Sequence, residues 1–456
     1  MPSESDVMLT LEVEKAAAGG RMLARHDGRV VLVAGAIPGE RVVARLERDA
    51  RGVRYAEVVD VLSASPDRRR VAADVRCGGN AYAYIGYARQ LQLKADIVCD
   101  AFARLAKLPL RDRPSVQPSP ETGYRMRARL HVQGDRIGFY REGSHDLCDA
   151  AASGQLSAAA SAWIAEAEEI LGRQGLTGLA AIDLAENIRG DQRACHLELS
   201  DRVDPARFAP LTAGLVGLTA HCPPHQAAID LGGATVVSDV LHARADDPGS
   251  AFRLRRTARS FFQGNRFLLE PLVRHVQALV PDGPVVDLYA GVGLFGLSLA
   301  ASGIAPVTLV EGDPISGADL IGNAEPFRDR VRVERRSVES YLGHVASGFG
   351  RTSAPGFGAS DLSRTSGADH AAWSHTTVIV DPPRTGLSTT ASAALTRAKP
   401  ARLIYVSCDV ATLARDVRAL TAAGYEMQEL SGFDMFPNTA HVEVVAVMTQ
   451  GKSENR

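Results

Sequence analysis

One stretch constrains the chain more than any other: VVDLYAGVGLFGLSLA, residues 285–300. An apolar run carrying an acid is followed by Gly291, Gly293 and Gly296 and then by an apolar helical pattern. That order specifies a buried parallel strand turning tightly into a helix, which brings backbone close to a ligand. The spacing is also the G-x-G-x-x-G of nicotinamide and flavin enzymes, so an oxidoreductase stands beside any other reading. Strand and helix patterns alternate around it, with strands expected at 285–289, 307–311, 331–335, 377–381, 403–407, 427–433 and 441–448. Seven strands with the last two adjacent predict an α/β fold, a parallel sheet closed by an antiparallel hairpin in the Rossmann-like methyltransferase arrangement. Residues 347–374, rich in Gly, Ser and Ala, read as a flexible insertion.

Three of these strands end in chemistry, and the last one opens in it. Glu311 stands where an acid commonly accepts both ribose hydroxyls, with a surface acid in a tight turn as the plain alternative. Asp381 is followed by two prolines, which lock their φ angles and remove donors, and then by Arg384 and Gly386. Cys408 ends the fifth strand, followed by Asp409 and a helix whose N-terminus should lower the thiol pKa and favour the thiolate. A lone cysteine in that place also serves as a small core residue. Glu443 interrupts the apolar run HVEVVAVM, either as an ion-pair partner or as a base with a raised pKa.

The remainder of the 456 residues divides less clearly. Residues 1–63 alternate apolar and polar positions in short runs, with Asp27-Gly28 as a hairpin signal, and predict a small OB-like β-barrel. Residues 64–250 predict a central α+β domain with a helix at 91–108 and a hairpin at 124–140, and residues 251–456 the sheet domain. Arg125, Arg127 and Arg129 recur at period two, a row that suits a phosphate backbone or a solvated strand face. Arg253, Arg255, Arg256 and Arg259 form a denser basic cluster. A net charge of -2 does not exclude nucleic acid, because a local basic face is what matters. Six scattered cysteines without paired spacing argue against a disulfide framework and for a reducing compartment. With no basic-then-apolar leader and no long apolar run, a cytoplasmic protein without membrane contact is expected.

An acid for ribose, a rigid D-P-P turn, a thiol and a carboxylate at one sheet edge meet the needs of pyrimidine carbon-5 methylation. That carbon is a poor nucleophile until a thiolate adds to carbon 6, and a base must afterwards remove the hydrogen at carbon 5. Cys408 would be the nucleophile and Glu443 the base.

The motifs SFFQGN (260–265), DLYAGVGLFGLSLA (287–300), VEGD (310–313), DPPRTG (381–386), YVSCD (405–409) and FPNTAHVE (436–443) resemble, in order, those of the bacterial RNA uracil-5-methyltransferases. The N-terminal residues resemble that family's TRAM domain, GAIPGERV being the most telling piece. The resemblance implies S-adenosylmethionine as methyl donor, contacted by Gln263, Tyr289, Glu311 and Asp381, with Cys408 and Glu443 catalytic. It also implies transfer RNA or ribosomal RNA as substrate, bound in part by the barrel, and a monomer is expected. Two departures stand out. Ribosomal-RNA members hold an iron-sulfur cluster on four cysteines, whereas Cys77 is kept here but Asn80 and Ser153 occupy ligand positions, with Cys148 offset. No iron-sulfur cluster and no other metal is expected. Leu294 replaces an asparagine that contacts the donor in many relatives. The competing classes are the oxidoreductase, a methyltransferase of another base, and an RNA-binding protein whose catalytic site has decayed.

Overall fold

The computed structural model describes residues 7–451 except 51, 72, 201–202, 224–226, 245–246, 248–249 and 347–372. The expected insertion at 347–374 therefore lies outside the described residues, apart from Trp373 and Ser374.

Residues 8–63 form a closed five-stranded barrel. Its first strand, Met8–Ala16, alternates exposed and buried positions because one face fills the barrel and the other meets water. The Asp27-Gly28 turn has positive φ at both residues, 51° and 75°, as a two-residue hairpin of this kind requires. Arg48 lies 3.9 Å from the centre of the Tyr55 ring on the barrel surface.

The middle of the chain builds a seven-stranded mixed sheet. The expected hairpin is present as Arg127–Gln133 and Arg136–Tyr140, turning at Gly134. The helix expected at 91–108 begins earlier, at Tyr87, runs to Ala101 and continues as a π turn over Phe102–Ala106. The arginine row does not lie on one solvated face. Arg129 pairs with Asp183, Arg127 lies over the ring of Phe261, and Arg125 precedes the strand and donates to Gln155. The denser cluster divides as well, since Arg256 is buried, paired with Asp239 and stacked 4.1 Å from Phe262, while Arg253 and Arg255 point outward. The hairpin Val236–His242 with Ala251–Thr257 links this part to the next.

The C-terminal sheet carries the seven expected strands, at Val285–Leu288, Val307–Val310, Val331–Glu334, Thr377–Val380, Arg402–Ser407, Tyr425–Phe433 and Glu443–Gln450. In sequence order they lie 3-2-1-4-5-7-6, the first five parallel and the last antiparallel to its neighbours. Both faces are covered, which is why VVDL and TVIV are buried at every position. Val285, Ile379, Ile404 and Val406 enter one core, and Val286, Leu288, Val378, Val380 and Tyr405 the other. Each such side chain contributes about 1.5–3 kcal/mol on burial. Val116–Gln117 adds an unforeseen eighth strand at the edge. Only two residues long, it shows no period in the sequence.

Candidate active site

The carboxyl ends of strands 1, 4 and 5 meet at one crevice. In the first turn Tyr289, Gly291 and Gly293 take φ of 62°, 57° and 100°. Gly296 has a different duty: a Cβ there would stand 2.1 Å from Leu309, so its absence lets the helix Leu294–Ala301 lie on the sheet. Asp287 reaches up from within the strand. The Gly296 N–H donates to its Oδ2 at 2.8 Å, while its Oδ1 has no partner. Burial above all pushes this carboxyl up to about 8, the Gly296 bond opposing it and Asp381 and Glu311 adding to it. Asp287 was visible in the motif, but nothing in the pattern distinguished it from a capping acid.

Glu311 accepts from the N–H groups of Gly291 at 2.7 Å and Asp313 at 2.6 Å. Burial nevertheless holds its carboxyl above the usual range. Gln263, itself buried, donates to Asp381 Oδ2 at 3.1 Å. Burial raises Asp381 to about 7 against that hydrogen bond. Leu294 is packed into the core at the head of the helix, away from any polar duty.

Cys408 and Glu443 come together. Ser407 pairs with Val444 across adjacent antiparallel strands, so the residue after one and the residue before the other face each other at the strand ends. The two side chains are close enough that Glu443 raises the thiol. Burial first and Glu443 second push Cys408 up to about 11, Arg384 pulls it down by its charge and a hydrogen bond, and Asp381 raises it further. Glu443 is held well above the usual carboxylate range by burial and by Asp381, with Arg384 opposing. The expectation of a lowered thiol pKa is thus overturned for the free protein. The helix Val410–Ala422 does start beside the sulfur, but Asp409 caps it, accepting from the Thr412 N–H at 2.8 Å and setting an anion against its positive end. Arg384 was noted in the sequence only as part of the turn. The structure makes it the cation shared by Cys408 and Glu443.

A crevice of buried, underneutralised acids around a glycine turn suits a cationic nucleoside ligand. Together with the strand order it defines a Rossmann-like S-adenosylmethionine-dependent methyltransferase. A family model for tRNA (Uracil-5-)-methyltransferase matches residues 235–450, and one for the TRAM domain matches residues 8–59. The 23S rRNA (uracil(1939)-C(5))-methyltransferase RlmD of Pseudomonas putida is 30% identical over 462 residues, spanning 97% of this chain and 93% of that protein. RlmD of Methylococcus capsulatus is also 30% identical over 462 residues, with 96% of each covered. The crystal structure of Pyrococcus abyssi tRNA (uracil-54, C5)-methyltransferase with S-adenosyl-L-homocysteine superposes with a TM-score of 0.72 at 24% identity, covering 96% of this chain and 99% of that one. The chain belongs to the RNA uracil-5-methyltransferase family and carries its TRAM domain. It is an RNA (uracil-5-)-methyltransferase that uses S-adenosylmethionine.

The region where ribosomal-RNA members hold a cluster is built differently. Cys77 and Cys148 form a disulfide with Cα atoms 5.7 Å apart, correcting the expectation of unpaired cysteines; a sequence separation of 71 hid the pair. Gln155 fills the loop beside them, donating to the Gly78 carbonyl at 2.8 Å and accepting from Arg125 at 2.7 Å. A Cβ on Gly79 would strike that amide at 2.3 Å. Cys77, the one aligned thiol, is joined to the offset Cys148, and Asn80 and Ser153 stand at ligand positions, so these residues do not fit a four-thiolate cluster. Among the described residues no group of three or more His, Cys, Asp or Glu could hold a metal ion.

Proposed function

We propose that the chain methylates carbon 5 of a uridine in structured RNA through a covalent adduct between Cys408 and the base. The Cys408 sulfur, as thiolate, adds to carbon 6 of the uracil, and the electron pair displaced onto the ring makes carbon 5 nucleophilic. Carbon 5 takes the methyl group from the donor's sulfonium, whose sulfur–methyl bond breaks to leave the neutral thioether S-adenosylhomocysteine. Glu443 then takes the remaining hydrogen from carbon 5 as a proton, and the carbon–sulfur bond breaks to return the thiolate. Arg384 supports the first step by stabilising negative charge at the sulfur, and burial makes Glu443 a stronger base than an exposed carboxylate. Gln263, Tyr289, Glu311 and Asp381 hold the donor, with Gly291 and Gly293 permitting its close approach.

The juxtaposition of Cys408, Glu443 and Arg384 carries this reading. The test is RNA substituted with 5-fluorouracil, whose carbon-5 fluorine cannot be removed as a proton. A complex that survives denaturing electrophoresis and maps to the Cys408 peptide is expected, and its absence would exclude the adduct.

The full-length likeness to two 23S rRNA enzymes supports a uridine of large-subunit ribosomal RNA as the target, with a transfer-RNA uridine as the alternative. Mass spectrometric mapping of 5-methyluridine in ribosomal and transfer RNA, from cells with and without the protein, decides between the two RNAs. Among the described residues no helix is long and apolar enough to cross a membrane.

A further inference from the structure

Nucleophile and base stand at the ends of adjacent, paired strands, but the chain reaches them differently. Cys408 follows a strand in the middle of the sheet. Glu443 stands where the connection 434–442 closes, on the pair it makes with Phe433. Phe436 of that connection lies 3.4 Å from where a Gly264 Cβ would stand, and Gly264 follows Gln263, which donates to Asp381.

What holds the connection is a helix from another part of the chain. Tyr87, Gln90 and Lys94 share one face of the helix Tyr87–Ala101. Lys94, Gln90 and Asp434 have no exposed surface. Lys94 Nζ donates to Asp434 and, at 3.0 Å, to the Phe436 carbonyl, while the Tyr87 hydroxyl donates to Asp434 Oδ2 at 2.9 Å. Gln90 and Asn438 bond reciprocally: Gln90 Nε2 donates to Asn438 Oδ1 at 2.9 Å and the Asn438 N–H donates to Gln90 Oε1 at 2.9 Å. Asn438 takes a φ of 63°, so these bonds fix the connection at its least favourable residue. The same helix sends Leu93 and Ile97 into the barrel core, and Asp100 pairs with Lys15 of the barrel. A buried lysine has no surface duty to explain it, and its ammonium is occupied entirely by this connection.

We propose that Gln90 and Lys94 are positioning residues that hold the 434–442 connection, and through it the general base Glu443, against the adduct formed on Cys408. The inference rests on the carbon-5 reading. Loosening this support displaces the base while leaving the nucleophile on its own strand, so adduct formation continues and its resolution slows.

The test uses the full chain, S-adenosylmethionine and bulk RNA from cells lacking the protein. Gln90→Leu removes both bonds to Asn438. Lys94→Met combined with Asp434→Asn removes the charge pair without stranding a buried charge. In each variant methylation should fall about tenfold, the size expected when a catalytic group is misplaced by less than 1 Å. The fraction of enzyme trapped as adduct on unsubstituted RNA should rise severalfold, with KM for the donor within about twofold of wild type. Lost folding would lower adduct and product together in proportion to the folded fraction, and that result in both variants overturns the proposal. So does a wild-type ratio of adduct to product. If wild type itself traps no adduct on 5-fluorouracil RNA, the carbon-5 reading fails; if it does and the variants clear adduct normally, only the positioning role fails.

Discussion

Two regions of this chain bury carboxylates and treat them in opposite ways. In the middle sheet Glu186 has no exposed surface, yet Arg193 and Arg266 both pair with it and Ser157 donates to it at 2.9 Å. Asp239 beside it is paired with Arg256. At the carboxyl edge of the C-terminal sheet, Asp287 and Asp381 make no ion pair among the described residues, Glu443 has only the Arg384 that it shares with Cys408, and burial pushes all three upward. The first arrangement is complete, because each desolvated charge is matched. The second is matched only when something cationic and something reactive arrive, which is the condition of a site.

The difference can be broken most severely at the sulfur. Cys408→Ala should lower methylation by on the order of 10⁴-fold or more while donor affinity stays within about twofold, because the thiol forms a bond to the base and is not required to hold the donor. Titration calorimetry with S-adenosylhomocysteine and a tritium-transfer assay measure the two quantities. Turnover retained in this variant would return the edge to a mere binding crevice.

A matched pair of substitutions sharpens the contrast next. Glu186→Gln removes a charge that two arginines need, and unfolding in urea should show a loss of about 3–5 kcal/mol. Glu443→Gln replaces a buried carboxyl whose neutral form burial already favours, so stability should be unchanged or higher, while turnover falls about 10²- to 10⁴-fold with the RNA adduct accumulating. Equal destabilisation by both would mean that the two regions are built alike.

The third measurement is of pH. Asp287 is held at about 8, far above an ordinary aspartate, so its neutral form is favoured in the folded state. A group raised in this way contributes fully below its unfolded pKa, and the contribution is lost as pH rises through the folded value. The donor-free protein should therefore lose stability between pH 4 and about 8, by up to about 1.4 kcal/mol per pH unit from this group. Asp381, partly open to solvent, adds less. Melting followed from pH 5 to 9 should fall less steeply in Asp287→Asn than in wild type; parallel curves would remove Asp287 as the cause.

Much of this was legible in the sequence, for a physical reason. Strands buried on both faces must be continuously apolar, so an acid or thiol at their ends stands out, and Cys408, Glu443, Asp381 and Glu311 were all read correctly as lying at the same sheet edge. Their neighbourhood was not legible. The thiol is raised because burial desolvates it and Glu443 faces it from the adjacent strand, and neither fact has a period or a spacing. Lys94 with Asp434, and Cys77 with Cys148, join residues far apart in the chain, which only the folded topology brings together. Arg256 looked like part of a basic surface because its type gives no sign of its partner, Asp239.

The smallest effect expected lies where charge is paired but exposed. Arg129 donates to Asp183 at 2.9 Å with half of its side chain in water. Such a pair contributes about 0–1 kcal/mol, since water already solvates both groups and holding two side chains in one geometry costs entropy. Arg129→Ala should change stability by less than about 0.5 kcal/mol. If the guanidinium also meets a phosphate of the substrate, the salt dependence of RNA affinity should lose about one unit of slope on logarithmic axes, whatever the RNA sequence. An unchanged slope would leave Arg129 a solvated strand residue and confine RNA recognition to other parts of the surface. A stability loss matching that of Glu186→Gln would show that burial, which separates these two pairs in the structure, is not what sets the strength of a charge pair in this chain.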